Sequence, residues 1–283
     1  MSAITAATLS RAIVVSALIA RPALAQELDR IAPAAESSKR TTTLAVGERL
    51  TYDVRFGKLH VGKGSMEVRE TVDVRGREAW HTVFAIRGGV PFFRVDDRLE
   101  SWIDTQRFTS LRFSQLTNEG RYHRQRQIEF FPERSAMLES GDSTQEEPTV
   151  DEPLDEGALL YYLRTLPLNV GDRYSLDRYF RPDRNPVRLE VVRRERIEVP
   201  AGTFETIVIR PTIKTSGIFS ENGHAEVWVT DDERHLMVRM TAKLSFGTLS
   251  LSLREITSGV GTVRTLTLRR TDVQAPASRE FLP

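Results

Sequence analysis

The sequence specifies an all-β protein of antiparallel, strongly curved sheet, forming an open barrel or a β-sandwich with one short helix. Three observations carry that expectation. Apolar and polar residues alternate along about a dozen segments between Leu50 and Leu253, the period of a half-buried strand. Turn phrases rich in Gly, Asn or Asp separate neighbouring segments. Strands do not alternate with helices, as a parallel nucleotide-binding sheet would require, and no repeat of 20–50 residues is visible.

The first 25 residues stand apart. Met1 to Ala25 contain no acidic residue, Arg11 closes a short n-region, Ala12 to Ala20 form an apolar run with one Ser, and Ala23-Leu24-Ala25 is a small-x-small site. This is the pattern of a secretory signal peptide cleaved after Ala25, which makes the mature protein periplasmic or secreted. The apolar run is too short for a bilayer span of about 20 residues, so no transmembrane segment is expected after cleavage. No Cys follows the site, which excludes a lipoprotein anchor there.

Losing Arg11 and Arg21 from 40 basic groups leaves 38 against 39 acidic ones. A nearly neutral chain gives no reason to expect nucleic acid as partner. The absence of Cys excludes a thiol nucleophile, an iron–sulfur cluster and Cys-ligated zinc, and no cofactor is expected.

Residues 26–43 mix Ala, Pro, Ser and charge without a period, which is linker composition. The β-rich domain is expected over 44–271, with a disordered tail at 272–283. Within the domain, alternation marks Leu50–Phe56, Met66–Val72, Trp80–Ile86 and Val95–Ile103, and then Leu189–Val191, Thr206–Ile209, Ala225–Val229, Leu236–Met240 and Leu249–Leu253. Hairpin turns are expected at Arg75-Gly76-Arg77, Asn118-Glu119-Gly120-Arg121 and Thr230 to Arg234. One segment departs from the two-residue period. Asp155 can N-cap a helix over 155–166 whose Leu159, Tyr162, Leu163 and Leu166 recur at three and four residues, ended by Pro167, so that one face covers the sheet or its mouth.

In this order the landmarks resemble the bacterial exported domain-of-unknown-function family 3108. They are Leu50-Thr51-Tyr52-Asp53-Val54 with Gly57 and Val61-Gly62-Lys63-Gly64, Leu160-Tyr161-Tyr162-Leu163-Arg164 with Leu168 and Gly171, Val199-Pro200-Ala201-Gly202-Thr203-Phe204, Val227 to Asp232, and Phe246-Gly247 before a Leu-rich strand. The resemblance covers roughly residues 46–257. One position departs from it, since Met237 follows His235-Leu236 where Pro is commoner. The resemblance implies a secreted or periplasmic β-rich domain and carries over no catalytic residue.

Candidate chemistry is sparse. Gly57 to Gly64 satisfies seven positions of a P-loop, but position 64 is Gly where a Ser or Thr hydroxyl must hold magnesium, and a strand follows in place of a helix, so no nucleotide is expected. His60, His81, His123, His224 and His235 lack the spacing of a two-point metal ligand. Asp96 and Asp97 should diverge on a strand, and Asp231-Asp232-Glu233 reads as a turn.

More informative are charges on faces that should turn inward: Arg124 and Arg126 between Tyr122 and Phe130, and Arg193 and Glu195 between Val187 and Val199. Buried Arg needs a partner. These strand middles either rise above the core edge or line an anionic headgroup site at a barrel mouth. Arg124, Arg126 and Arg193, with Leu159 and Leu163 of the helix, are therefore the candidate ligand-binding residues. The expected function is a noncatalytic envelope protein binding a lipid or other apolar or amphipathic molecule. Two other classes stay open: an envelope hydrolase assembled from distant residues such as Asp97, Asp231 and Arg164, and an outer-membrane barrel, against which the Arg-bearing faces argue.

Overall fold

Fifteen strands form one antiparallel sheet in the computed structural model, which describes residues 39–42, 44–141, 145–214, 224–244, 247–261, 264–267 and 273–274. Eight precede the crossover: β1 (Arg49–Phe56), β2 (Leu59–Val74), β3 (Arg77–Val90), β4 (Phe93–Asp104), β5 (Ser110–Glu119), β6 (Tyr122–Phe131), β7 (Ala136–Glu139) and β8 (Glu147–Pro148). Seven follow it: β9 (Arg173–Leu176), β10 (Val187–Val199), β11 (Gly202–Thr212), β12 (Glu226–Thr230), β13 (Met237–Leu244), β14 (Gly247–Thr257) and β15 (Val273–Gln274). The segments expected from alternation fall on these strands to within a residue. The expected signal peptide, residues 1–25, lies outside the described residues.

Two meanders share this sheet. From the centre, one half runs β1 to β8 in chain order, and the other runs β14 back to β9 with β15 outside it; β14 pairs with β1. Local chemistry accounts for the tight connections. Arg75 and Gly76 have φ of 55° and 78°, the two left-handed residues of a hairpin turn whose twist matches the strands. The glycine run that mimics a P-loop is a turn at Gly57-Lys58 and a bulge opposite Val54 and Arg55, after which β2 simply continues.

Among the described residues no ladder closes the sheet. Its edges meet through the crossover from β8 to β9, where the Leu154 N–H donates to the Arg178 carbonyl at 2.6 Å and the Thr149 hydroxyl to the Phe180 carbonyl at 2.7 Å. Pairing also extends beyond the limits expected from composition. Lys39–Thr42, inside the segment read as linker, pairs with Arg264–Thr267, and Val273–Gln274, inside the expected tail, pairs with β9. A ladder is made by backbone groups, so the lack of an apolar period does not prevent it.

The crossover also carries the helix, α1 (Glu156–Tyr162), with Asp155 as its N-cap as expected. It is shorter than expected, because Leu163–Thr165 continue as a 3-10 turn. Nor does it present one face. Every residue from Gly157 to Leu166 is buried, so the segment is a plug seated in the concave face and not an amphipathic cover. The polar groups that suggested a solvent face are satisfied inside: Arg164 pairs with Glu48 at 2.6 Å, and the Tyr161 hydroxyl donates to the Glu67 carbonyl at 3.0 Å. Leu159, Leu163 and Leu166 belong to a single apolar cluster that includes Leu50, Met66, Val227 and Leu251 from both meanders.

Leu163 is 5% exposed. Truncation to Ala should therefore cost about 2–5 kcal/mol in denaturant unfolding, as for a core leucine. A loss below about 1 kcal/mol would mark α1 as a loosely held lid instead.

Candidate functional site

Partners on adjacent strands share a face of the sheet, so the concave face can be followed row by row from the core. Leu50, Met66, Phe84, Leu99, Gln115 and Arg126 form one row across β1 to β6. Two residues nearer the β1–β2, β3–β4 and β5–β6 turns, the next row reads Tyr52, Gly64, Ile86 and Asp97, and then Thr117 and Arg124. The third row is Val54, Gly62, Gly88, Val95, Glu119 and Tyr122.

Along these rows the concave face changes from filled to open. Leu50, Met66 and Phe84 are buried, Leu99 and Ile86 half-buried, and Arg124 and Tyr122 exposed. Gly62 and Gly88 leave the third row bare at β2 and β3. A Cβ on Gly88 would lie 2.6 Å from the Gly62 Cα, so this close strand approach excludes a side chain from either position.

Arg124 and Arg126 thus share the concave face, as their alternation predicted, but they are not equivalent. Arg126 is 9% exposed and committed: its Nε donates to Glu139 at 2.7 Å, its Nη1 to Gln115 at 3.1 Å, and its guanidinium lies 5.7 Å from the Phe180 ring centroid. Arg181 donates to Glu139 from the other side. Burial alone would raise the Glu139 carboxyl, but the Arg126 hydrogen bond and the charges of Arg126, Arg181 and Arg124 outweigh it and hold the group below its ordinary value. Arg124 is 47% exposed and 3.9 Å from Glu139, the loosest hold among the three arginines around that carboxylate. Beside Arg126 the Tyr179 hydroxyl donates to Glu156 at 2.9 Å, and the buried Glu156 Oε2 has no hydrogen-bond partner among the described residues.

Arg193 does not join them. β10 carries a bulge after Val191, so Val191 pairs with Ile209 whereas Arg193 pairs with Val208. One extra residue turns the rest of the strand over, and Arg193 leaves the face of Val187, Leu189 and Val191. There it donates to Glu195 at 2.9 Å and Glu226 at 3.0 Å, 5.7 Å from the Trp228 ring centroid. Leu159 and Leu163 lie in the core beneath the mouth and do not line it. Glu139, Gln115, Tyr179 and Arg181 had no signal in the sequence, because they reach Arg126 only through strand register and the crossover.

Asp97 and Asp96 point to opposite faces. Asp96 accepts from Arg87 at 3.1 Å, whereas Asp97 accepts the Asn118 N–H at 3.0 Å within the mouth. Burial, followed by the Glu119 and Asp96 carboxylates, pushes Asp97 up to about 6 against the lowering effect of that N–H. The groups that a hydrolytic site would need are held by different partners: Asp231 by Arg194, and Arg164 by Glu48 and the Arg234 carbonyl. Among the described residues no three His, Asp or Glu side chains are grouped to hold a metal, and no helix is long and apolar enough to cross a membrane.

A polar cleft of about 530 Å³ lies at the opposite end of the strands, between the Arg75-Gly76 turn, Asp104 to Arg107 and Glu133. Its charges largely answer one another, with Arg77 on Asp104 at 2.8 Å and Arg75 on Glu129. It reads as the seam between two turns.

The sequence matches the family model described as a protein of unknown function (DUF3108) over residues 51–254, and the chain belongs to that family. No curated protein matches it in sequence. Among solved structures it is similar to a β-barrel-like protein of the domain of unknown function DUF1849 from Brucella abortus, with 11% identity, a TM-score of 0.48, and coverage of 77% of this chain and 99% of that one. A proposed lipoprotein from Parabacteroides distasonis gives 11% identity, a TM-score of 0.35, and coverage of 76% and 97%. A proposed exported protein with a YmcC-like fold from Bacteroides fragilis gives 12% identity, a TM-score of 0.36, and coverage of 78% and 100%.

The raised Asp97 sets a pH dependence. Its ionised form is disfavoured in the folded chain, so the penalty is absent below the ordinary value of 3.8, grows as pH rises, and is complete above about 6. Asp97→Asn should therefore stabilise the protein at pH 8, by about 1 kcal/mol once solvent screening of a half-exposed group is allowed for. At pH 4 most of that gain should vanish, which paired denaturant titrations would measure.

Proposed function

We propose that this member of the DUF3108 family is a noncatalytic cell-envelope protein that takes an amphipathic ligand at the open end of its concave face. Arg124 carries the reading. It is an inward-facing cation, half-exposed and held among the described residues only by the 3.9 Å pair with Glu139, on the same concave face as the half-buried apolar Leu99 and Ile86, which lie two and three strands away. A carboxylate or phosphate headgroup would meet Arg124 first, where partial burial strengthens a charge-assisted hydrogen bond, and an alkyl segment would lie over Leu99, Ile86 and the bare glycine row. Arg126 holds the wall of this site through Glu139 and Gln115.

The ligand belongs to the mouth and not to a central cavity, because α1 with Leu159 and Leu163 occupies the interior. The cellular address, periplasmic or secreted, is supported by the charge, apolar and small-residue pattern of residues 1–25.

Calorimetric titration of the mature chain with dodecyl phosphate, kept below micelle formation, tests the reading. Saturable binding is expected, weakened about tenfold by Arg124→Glu, equivalent to about 1.4 kcal/mol. Arg124 is exposed, so the variant should fold, and unchanged unfolding would confirm it. Absence of saturable binding, or equal affinity in the variant, would remove the ligand from this mouth.

A further inference from the structure

The β1–β2, β3–β4 and β5–β6 turns lie at the same end of the sheet, since successive hairpins of a meander alternate ends. Contacts tie two of them together: the Gly120 N–H donates to the Arg94 carbonyl at 2.7 Å, and Gly120 lies against the Phe93 ring. These tips expose Leu59, Val90, Phe92, Phe93 and Tyr122, five of the eight large apolar side chains that stand out from the described surface. Scattered singly such residues need no explanation, but gathered on one rim they do.

Phe92 is the sharpest of them. It is fully exposed and has φ of 70°, in the left-handed region. With Pro91 before it, this is the turn position that Gly fills at no steric cost. A phenyl ring there strains the backbone and packs against nothing among the described residues, so its compensation is sought outside them.

Charge identifies what lies outside. Residues 57–63, 87–97 and 118–124 carry six cations, Lys58, Lys63, Arg87, Arg94, Arg121 and Arg124, against Asp96, Asp97 and Glu119. Lys58, Lys63, Arg94 and Arg121 make no ion pair among the described residues, in a protein whose arginines are otherwise mostly engaged. We infer that this rim docks on an anionic lipid surface, with the Phe92 and Phe93 rings at the headgroup level and the uncommitted cations against the phosphates. Exposed aromatics flanked by unpaired Lys and Arg suit that partner better than a second copy of the chain, whose rim would present the same cations to one another. The inference does not rest on the ligand reading, although docking would turn the Arg124 mouth toward the lipid.

Co-sedimentation of the mature chain with vesicles tests it, using phosphatidylcholine alone and phosphatidylcholine with phosphatidylglycerol, at low and high salt. Binding is expected to the mixed vesicles, to fall with salt, and to weaken about tenfold in Lys58→Gln/Arg94→Gln/Arg121→Gln. Phe92→Ala should weaken it several-fold at unchanged unfolding stability, because the ring has no partner among the described residues. No binding to mixed vesicles would overturn the inference, as would equal binding by Phe92→Ala. So would a concentration-dependent dimer that Phe92→Ala dissolves in the absence of vesicle binding. A chain that binds vesicles but not dodecyl phosphate keeps this inference and loses the ligand reading.

Discussion

Asp155 is the joint on which the architecture turns. A sheet of fifteen strands has a concave apolar face that must be covered, and the crossover covers it from within. Asp155 fixes where that crossover enters. Its carboxylate accepts from the Ser101 hydroxyl of β4 at 2.6 Å, from the Ser110 hydroxyl of β5 at 2.7 Å, and from the Gly157 and Ala158 N–H groups of α1, both at 2.9 Å. One side chain thereby caps the helix and pins its start to two neighbouring strands. Burial pushes its carboxyl up to about 7 even with these donors present, so the joint is held in place by geometry at an electrostatic cost. An N-cap alone contributes about 0.5–2 kcal/mol, and the serine hydroxyls that would lose their partner add to that.

The far end of the plug is held in the same manner. Arg164 pairs with Glu48, just ahead of β1, and donates to the Arg234 carbonyl at 2.9 Å. A buried ion pair is weak evidence for stability, because desolvation opposes it, but it specifies position strongly. Between these anchors Phe108 meets Trp80 and Tyr162 at ring-centroid separations of 6.0 and 5.5 Å, closing the interior with aromatic contacts. Once the middle of the concave face is filled in this way, only its ends are free to differ. One end is a polar seam, and the other is the mouth with Arg124 and the aromatic rim.

The inward arginines show why buried charge is read through pairing. Arg126 and Arg193 both lie on strands that read as core-facing, and both are ion-paired, yet by different routes. Arg126 stays on the concave face and is matched there by Glu139 of the next strand. Arg193 is turned away by the bulge after Val191 and joins Glu195, Glu226 and Trp228. Arg124 is the member of the trio that neither route satisfies fully.

What the sequence determined by itself is what short-range chemistry encodes. The two-residue alternation announced the strands, Arg75-Gly76-Arg77 announced a hairpin turn, and Asp155 announced the helix start, since period, turn preference and cap geometry act within a few residues. The order of these blocks was enough to identify the family. Only the tertiary structure decided which edges meet, that α1 is buried on every side, and which carboxylate answers which arginine. Those outcomes depend on register and curvature, where a single bulge residue in β10 moves Arg193 to the other face, and on contacts such as Arg181 with Glu139 that join the two meanders through the crossover. Strand pairing is made by backbone groups common to all residues, so the side-chain pattern specifies that a strand forms and leaves its partner to the packing of the whole.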